Sequence, residues 1–220
     1  MSTIAVVALA AFAPLSALAD DEGRLYALAG FGTARTDLGA AEDYYRAQAA
    51  AHTAAGATRS EATSDDSSPT FSFGFGYWLH RNVAVEGYFR DFGRPAAGVS
   101  AAFPASASAE ETEYRAAGLG AGLLGLVPVG QWLSLYGRVD LVSMRTEYET
   151  VFAMTPGSGG TSVGDDSEVQ AGFGLGAQYD FRHGISARVD WQRIEAPLGQ
   201  AGLDGAATID SLNVFLVKSL

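Results

Sequence analysis

Through most of this 220-residue chain, large apolar residues alternate with small or polar ones. A period of two marks strands whose two faces meet different surroundings. Phe71, Phe73, Phe75, Tyr77 and Leu79 share one phase, while Ser72, Gly74 and Gly76 occupy the other. Val83, Val85 and Phe89 oppose Ala84, Glu86, Tyr88 and Arg90, and Leu133, Leu135, Val139 and Leu141 oppose Ser134, Tyr136, Arg138 and Asp140. The pattern returns over 169–180 and 185–192. In the last segment Leu212, Val214, Leu216 and Leu220 face away from Ser211, Asn213 and Ser219, with Phe215 and Val217 out of pattern. Adding the less regular stretches 24–35 and 113–127 predicts eight strands, an even number. Each has the ~10 residues that a tilted strand needs to cross a bilayer.

Connections alternate as well. Leu79-His80-Arg81-Asn82, Pro128-Val129-Gly130-Gln131 and Phe181-Arg182-His183-Gly184 are tight, whereas 36–69, 94–110, 148–167 and 198–207 are long and polar. Short turns on one rim and long loops on the other predict an all-β fold: an eight-stranded antiparallel up-and-down transmembrane β-barrel with short periplasmic turns and long extracellular loops. Composition separates this from a soluble barrel. Only 18% of the residues are charged, and the polar face holds Gly, Ser, Gln, Tyr and a few ion-pairing residues rather than scattered Lys and Glu. Glycines in the inward phase (Gly74, Gly76, Gly118, Gly120, Gly122, Gly172, Gly174 and Gly176) leave room for Tyr88, Tyr136, Arg90, Arg138 and Arg188. Lipid offers the backbone no hydrogen bonds, so a spanning sheet must close.

Residues 1–19, MSTIAVVALAAFAPLSALA, form an uncharged apolar run ending in Ala17-Leu18-Ala19, with Asp20-Asp21-Glu22 behind it. This reads as a secretory signal peptide cleaved after Ala19, followed by a barrel domain over 20–220. The run is short for a membrane anchor, contains Pro14 and lacks basic flanks, including the basic start usual in such leaders.

A net charge of -11, from 14 basic and 25 acidic residues, excludes nucleic acid as a partner. The absence of Cys excludes disulfides, thiolate metal sites and a cysteine nucleophile. Gly120-Ala121-Gly122-Leu123-Leu124-Gly125 matches a dinucleotide-binding fingerprint, but no helix follows, and the match is read as chance. His52, His80 and His183 have no metal-ligand spacing, and no local nucleophile motif is present. No cofactor, metal or catalytic residue is therefore expected.

The segments 76–93 (GYWLHRNVAVEGYFRDFG), 126–142 (LVPVGQWLSLYGRVDLV) and 176–194 (GAQYDFRHGISARVDWQRI) are each a hairpin around a tight turn. Through them the sequence resembles the OmpA-like transmembrane domain, the family of small outer-membrane β-barrels that includes OmpX, over residues 24–220. The resemblance implies a Gram-negative outer-membrane location, termini in the periplasm, loops at the cell surface, and contact with lipid, lipopolysaccharide and the barrel assembly machinery. It does not extend to the peptidoglycan-binding domain of larger members, so no cell-wall tether is expected. Members usually end in an aromatic residue; Leu220 stands here, and less efficient assembly is expected.

The inward charges Glu86, Arg90, Arg138, Asp140, Arg188 and Asp190 form a candidate lumen cluster. Confined charges persist when paired. Resemblance to OmpA-type barrels suggests a gate, but a plug is the preferred reading, since side chains can fill an eight-stranded lumen. Asp65-Asp66, Glu110-Glu111 with Glu113, and Asp165-Asp166 with Glu168 give an acidic outer rim, either solvated or bridging divalent cations. His80-Arg81 and Arg182-His183 are expected to meet phosphate head groups at the opposite rim. Within 36–69, residues 40–47 are expected to form a short helix that offers Tyr44 and Tyr45 for adhesive contact with a surface ligand. The expected function is structural or surface-interacting. A small, poorly conducting pore is the alternative, and a lipid-modifying enzyme is third because the fold alone confers no chemistry.

Overall fold

The computed structural model describes residues 24–181, 183–197 and 206–220. Within them lie β1 (Leu25–Thr36), α1 (Gly39–Ala54), β2 (Arg59–Asp65), β3 (Ser67–His80), β4 (Val83–Asp91), β5 (Ala96–Phe103), β6 (Ser106–Pro128), β7 (Leu133–Thr155), β8 (Gly159–Asp180), β9 (Ile185–Pro197) and β10 (Ala206–Ser219). The signal run with Ala19, Arg182 and most of 198–207 lie outside the described residues.

Antiparallel pairing runs β1–β3, β3–β4, β4–β6, β6–β7, β7–β8, β8–β9, β9–β10 and back from β10 to β1. The result is a closed ring of eight strands. Outward positions follow the predicted phase: Leu119, Leu141, Leu175 and Leu216 are 60–62% exposed, and Phe71, Phe73 and Phe75 stand beside them. Such a continuous apolar belt has no place in water. On β7 it starts at Leu133 and ends at Arg145. That climb is about 40 Å at ~3.3 Å per residue, or about 30 Å at a tilt of ~40°, the thickness of a hydrocarbon core.

Two of the expected loops are strands. Residues 106–115 of β6, 145–155 of β7 and 159–170 of β8 carry their ladders beyond the belt, and β5 then β2 add to the outer end of β6. The result is a five-stranded outer sheet continuous with the wall. Polar side chains hid these strands, because the ladder satisfies backbone groups whatever the side chains are. The expected helix is also longer than read: α1 covers 16 residues. Ala47 to Ala54 are rich in the best helix former, and Gly56, at φ +92°, takes the left-handed turn that follows the helix.

Inside the ring, apolar layers lie above and below the charged residues. At the short-turn end Tyr26, Leu28, Ala84, Leu124, Leu126, Tyr136, Phe215 and Val217 pack together with Trp78. Phe215 and Val217 thus keep strand phase and face inward: the exception was in their polarity. Toward the long-loop end, Tyr88, Phe92, Val142, Met144, Ile194 and Ile209 form a second layer. The inward glycines accommodate large rings. A side chain at Gly120 would overlap Tyr88, and one at Gly176 would overlap Tyr136.

Candidate functional site

All six charges expected in the lumen are inside it, each exposed by 5% or less. Strand phase delivers them: Glu86 and Arg90 from β4, Arg138 and Asp140 from β7, Arg188 and Asp190 from β9. Arg138 is the hub. Its Nε and Nη2 donate to both oxygens of Asp140 at 2.9 and 2.7 Å, and its Nη1 donates to Asp190 at 2.8 Å and lies 3.5 Å from Glu86. Arg188 donates to Glu86 and to Gln178, and the Tyr26 hydroxyl donates to Glu86 at 2.7 Å. Three guanidinium groups face three carboxylates, so the layer is formally neutral.

Arg90 departs from the expectation that each buried charge is paired with its opposite. It donates to Ser72, Gln192 and Ser211, all neutral, and its guanidinium lies 5.3–5.8 Å from the ring centres of Tyr88, Phe92 and Phe215. Aromatic faces attract a cation. Gln192 relays the rest, donating to Asp140 at 2.9 Å. Tyr26, Gln178 and Gln192 were not singled out from sequence, although each sits in the inward phase. Their role depends on side chains arriving from other strands.

The outer site rests on an inversion of polarity. Along β7 the outward residues change from Leu133, Leu135, Val139 and Leu141 to Arg145, Glu147 and Glu149, while the inward ones change from Tyr136, Arg138 and Asp140 to Tyr148, Phe152 and Met154. Above the belt the inward face of β7 becomes more apolar, with Tyr148, Phe152 and Met154 alternating with Thr146 and Thr150. Helix α1 covers it. Leu38, Ala41 and Tyr45 pack on Ala97, Val99, Tyr114 and Ala207. Tyr45 is fully buried, its hydroxyl 2.6 Å from Thr112, which in turn meets Thr150 at 2.7 Å. Burial is the main reason its phenol is pushed above the usual value, with the nearby Glu110 carboxylate adding to the effect. Tyr45 is therefore an anchor and not an adhesive contact. Tyr44 remains exposed.

The expected acidic rim is interleaved with arginines. Arg35 pairs with Asp66 at 2.7 Å, Arg94 with Glu113 at 3.3 Å, Arg145 with Asp165 at 3.4 Å and Arg193 with Asp210 at 2.7 Å. The three histidines lie apart: His52 is on α1, His80 ends β3, and His183 sits in the β8–β9 turn with φ +66°.

A closed ring, an apolar belt of bilayer thickness and a filled polar lumen agree with sequence comparison, in which the model of the outer membrane protein β-barrel domain matches residues 4–214. The chain belongs to that family. It is an outer-membrane barrel of the OmpA/OmpX type, its short turns in the periplasm and its outer sheet at the cell surface. Among solved structures, this barrel is similar to Ail, the attachment invasion locus protein of Yersinia pestis. Identity is 14% over 90% of this chain and 99% of that one, with a TM-score of 0.50. Neisserial surface protein A matches at 11% identity over 89% and 97% of the two chains, also with a TM-score of 0.50. At such identities the likeness shows the fold. A comparison with curated proteins returns no match.

Proposed function

We propose that this outer-membrane barrel is a non-catalytic surface-interaction protein, with the membrane ring as its anchor and the outer sheet with α1 as its working part. The observation that carries this reading is the contrast between a lumen packed with a charged layer between two apolar ones and an outer end where the wall continues as a sheet covered by a helix. Buried charges between two apolar layers support the plug reading of Glu86, Arg90, Arg138, Asp140, Arg188 and Asp190. Ail, named for attachment and invasion, has the same fold, which is compatible with adhesion through the outer sheet. Above the belt, Arg35, Arg115, Arg145 and Arg193 stand in the outward phase, at the level of lipopolysaccharide head groups. We take that lipid to be a neighbour, and the assembly machinery to be the route of insertion. Residues 1–19 are proposed as the export signal; N-terminal sequencing of the purified protein should begin at Asp20.

Cells displaying the wild-type protein should bind host cells or abiotic surfaces more strongly than cells displaying a variant without residues 39–58. Equal binding, with both proteins folded in the outer membrane, would remove the adhesive reading. The pore alternative draws support from Glu86 Oε2 and Asp190 Oδ1, buried carboxylate oxygens with no hydrogen bond that could re-pair in another state. Planar-bilayer recording separates the two. A plug gives no resolved openings in the wild type or in the 39–58 deletion, and discrete openings in either would favour the pore.

A further inference from the structure

A cleft of about 310 Å³ opens between the C-terminal half of α1 and the inward face of the outer sheet. Val99, Phe103, Phe152 and Met154 make its apolar wall, with His52 and Glu110 at its polar side. Phe152 and Met154 are 42% and 50% exposed, unusual for large apolar groups on a face that α1 otherwise covers. The volume suits one aromatic ring with a short arm, since a closed cavity of about 150 Å³ already holds benzene.

Charge decides what the arm carries. Among the described residues, Glu110 is the only Lys, Arg, Asp or Glu lining the cleft. Among the described residues no cation lies within ion-pair distance of it, and its one hydrogen bond is a long 3.4 Å contact from Tyr45. His52 Nδ1, beside the cleft, is buried with no hydrogen-bond partner and is an acceptor in the Nε2–H tautomer. The cleft of about 390 Å³ lined by Arg94, Arg115 and Arg145 is different: Arg94 already pairs with its Glu113, and Arg145 with its Glu147 and Asp165.

We infer that the cleft beneath α1 binds a small apolar ammonium ion, its ring or alkyl body against Phe103, Phe152 and Met154 and its charged end toward Glu110. The inference rests on the outer sheet being the working part of the protein and names the ligand class there.

The test uses full-length protein in lipid nanodiscs, free of competing detergent, with ¹³C-methyl methionine. Met154 reports on the cleft, and Met144, buried inside the barrel, is the internal control. Titration with 2-phenylethylammonium should shift Met154 saturably and leave Met144 still, with phenylacetate binding at least about tenfold more weakly. Glu110→Gln should erase that preference while retaining the ring contact, and Phe152→Ser should weaken both probes. A Met154 signal unmoved by either probe, equal affinity for the two in the wild type, or a preference that survives Glu110→Gln overturns the inference. Those results leave the adhesion assay standing, whereas failure of that assay leaves the Met154 titration standing, so the two failures are separable.

Discussion

The two halves of β7 obey opposite rules without losing strand phase. Below Arg145 the outward Leu133, Leu135, Val139 and Leu141 are apolar and the inward Arg138 and Asp140 are charged; above it the outward Arg145, Glu147 and Glu149 are charged, and the inward Tyr148 packs against the cluster under α1. The backbone is one continuous ladder with β6 and β8 through both halves. What changes is the medium: hydrocarbon outside and a narrow lumen inside below, water outside and α1 inside above. Polarity along a strand thus records the solvent at each height, while alternation records only that the segment is a strand.

The largest loss of stability is expected at the lumen hub. Arg138→Met leaves Glu86, Asp140 and Asp190 buried without their shared cation, at a cost of about 3–5 kcal/mol. Urea unfolding in lipid vesicles, followed by heat-modifiable gel mobility, should show that loss. A change below about 1 kcal/mol would mean the charges are hydrated and the plug is not sealed.

The same charge placed at two heights of the outward face is expected to have the next largest effect. Val139→Arg, midway across the belt, should cost about 2–4 kcal/mol, whereas Glu149→Arg on the outer sheet should stay within about 0.5 kcal/mol. Equal costs at the two positions would erase the boundary drawn at Arg145.

The lid supplies the smallest effect. Tyr45→Phe removes one buried hydrogen bond to Thr112, worth about 1 kcal/mol, and should speed amide exchange in α1 about fivefold while the ring strands are unchanged. Because burial lifts the phenol above its usual value near ~10, the stabilisation from keeping it protonated is complete below about pH 10. It is lost as pH rises through that value toward the folded one. Proteinase K cutting within 39–58 should therefore increase above about pH 10 in the wild type, and a profile shared with Tyr45→Phe would exclude this tyrosine as the cause.

Much of the ring was legible because alternation is local. Phe71 to Leu79 and Leu133 to Leu141 declare their faces without reference to any other segment, and Glu86, Arg138 and Asp190 are inward for the same reason. The outer ends of β6 and β8 read as loops because small and polar residues fall on both faces, and that of β7 because its polarity reverses, so the pattern of the belt does not continue into them. Tyr45 was misread as a surface group because its partner Thr112 is 67 residues away. Arg90, expected to be paired, is held instead by Gln192 and the rings of Tyr88, Phe92 and Phe215, an arrangement that exists only after the ring has closed.

By itself the sequence determined that this chain forms strands with a lipid-facing and a lumen-facing side, because side chains project to alternate faces wherever a strand forms. Tertiary structure alone decided which charges meet, that Phe215 and Val217 seal the periplasmic end, and that α1 covers the inverted face of the outer sheet. Each of those contacts joins residues far apart in the chain, and only the closed register brings them together.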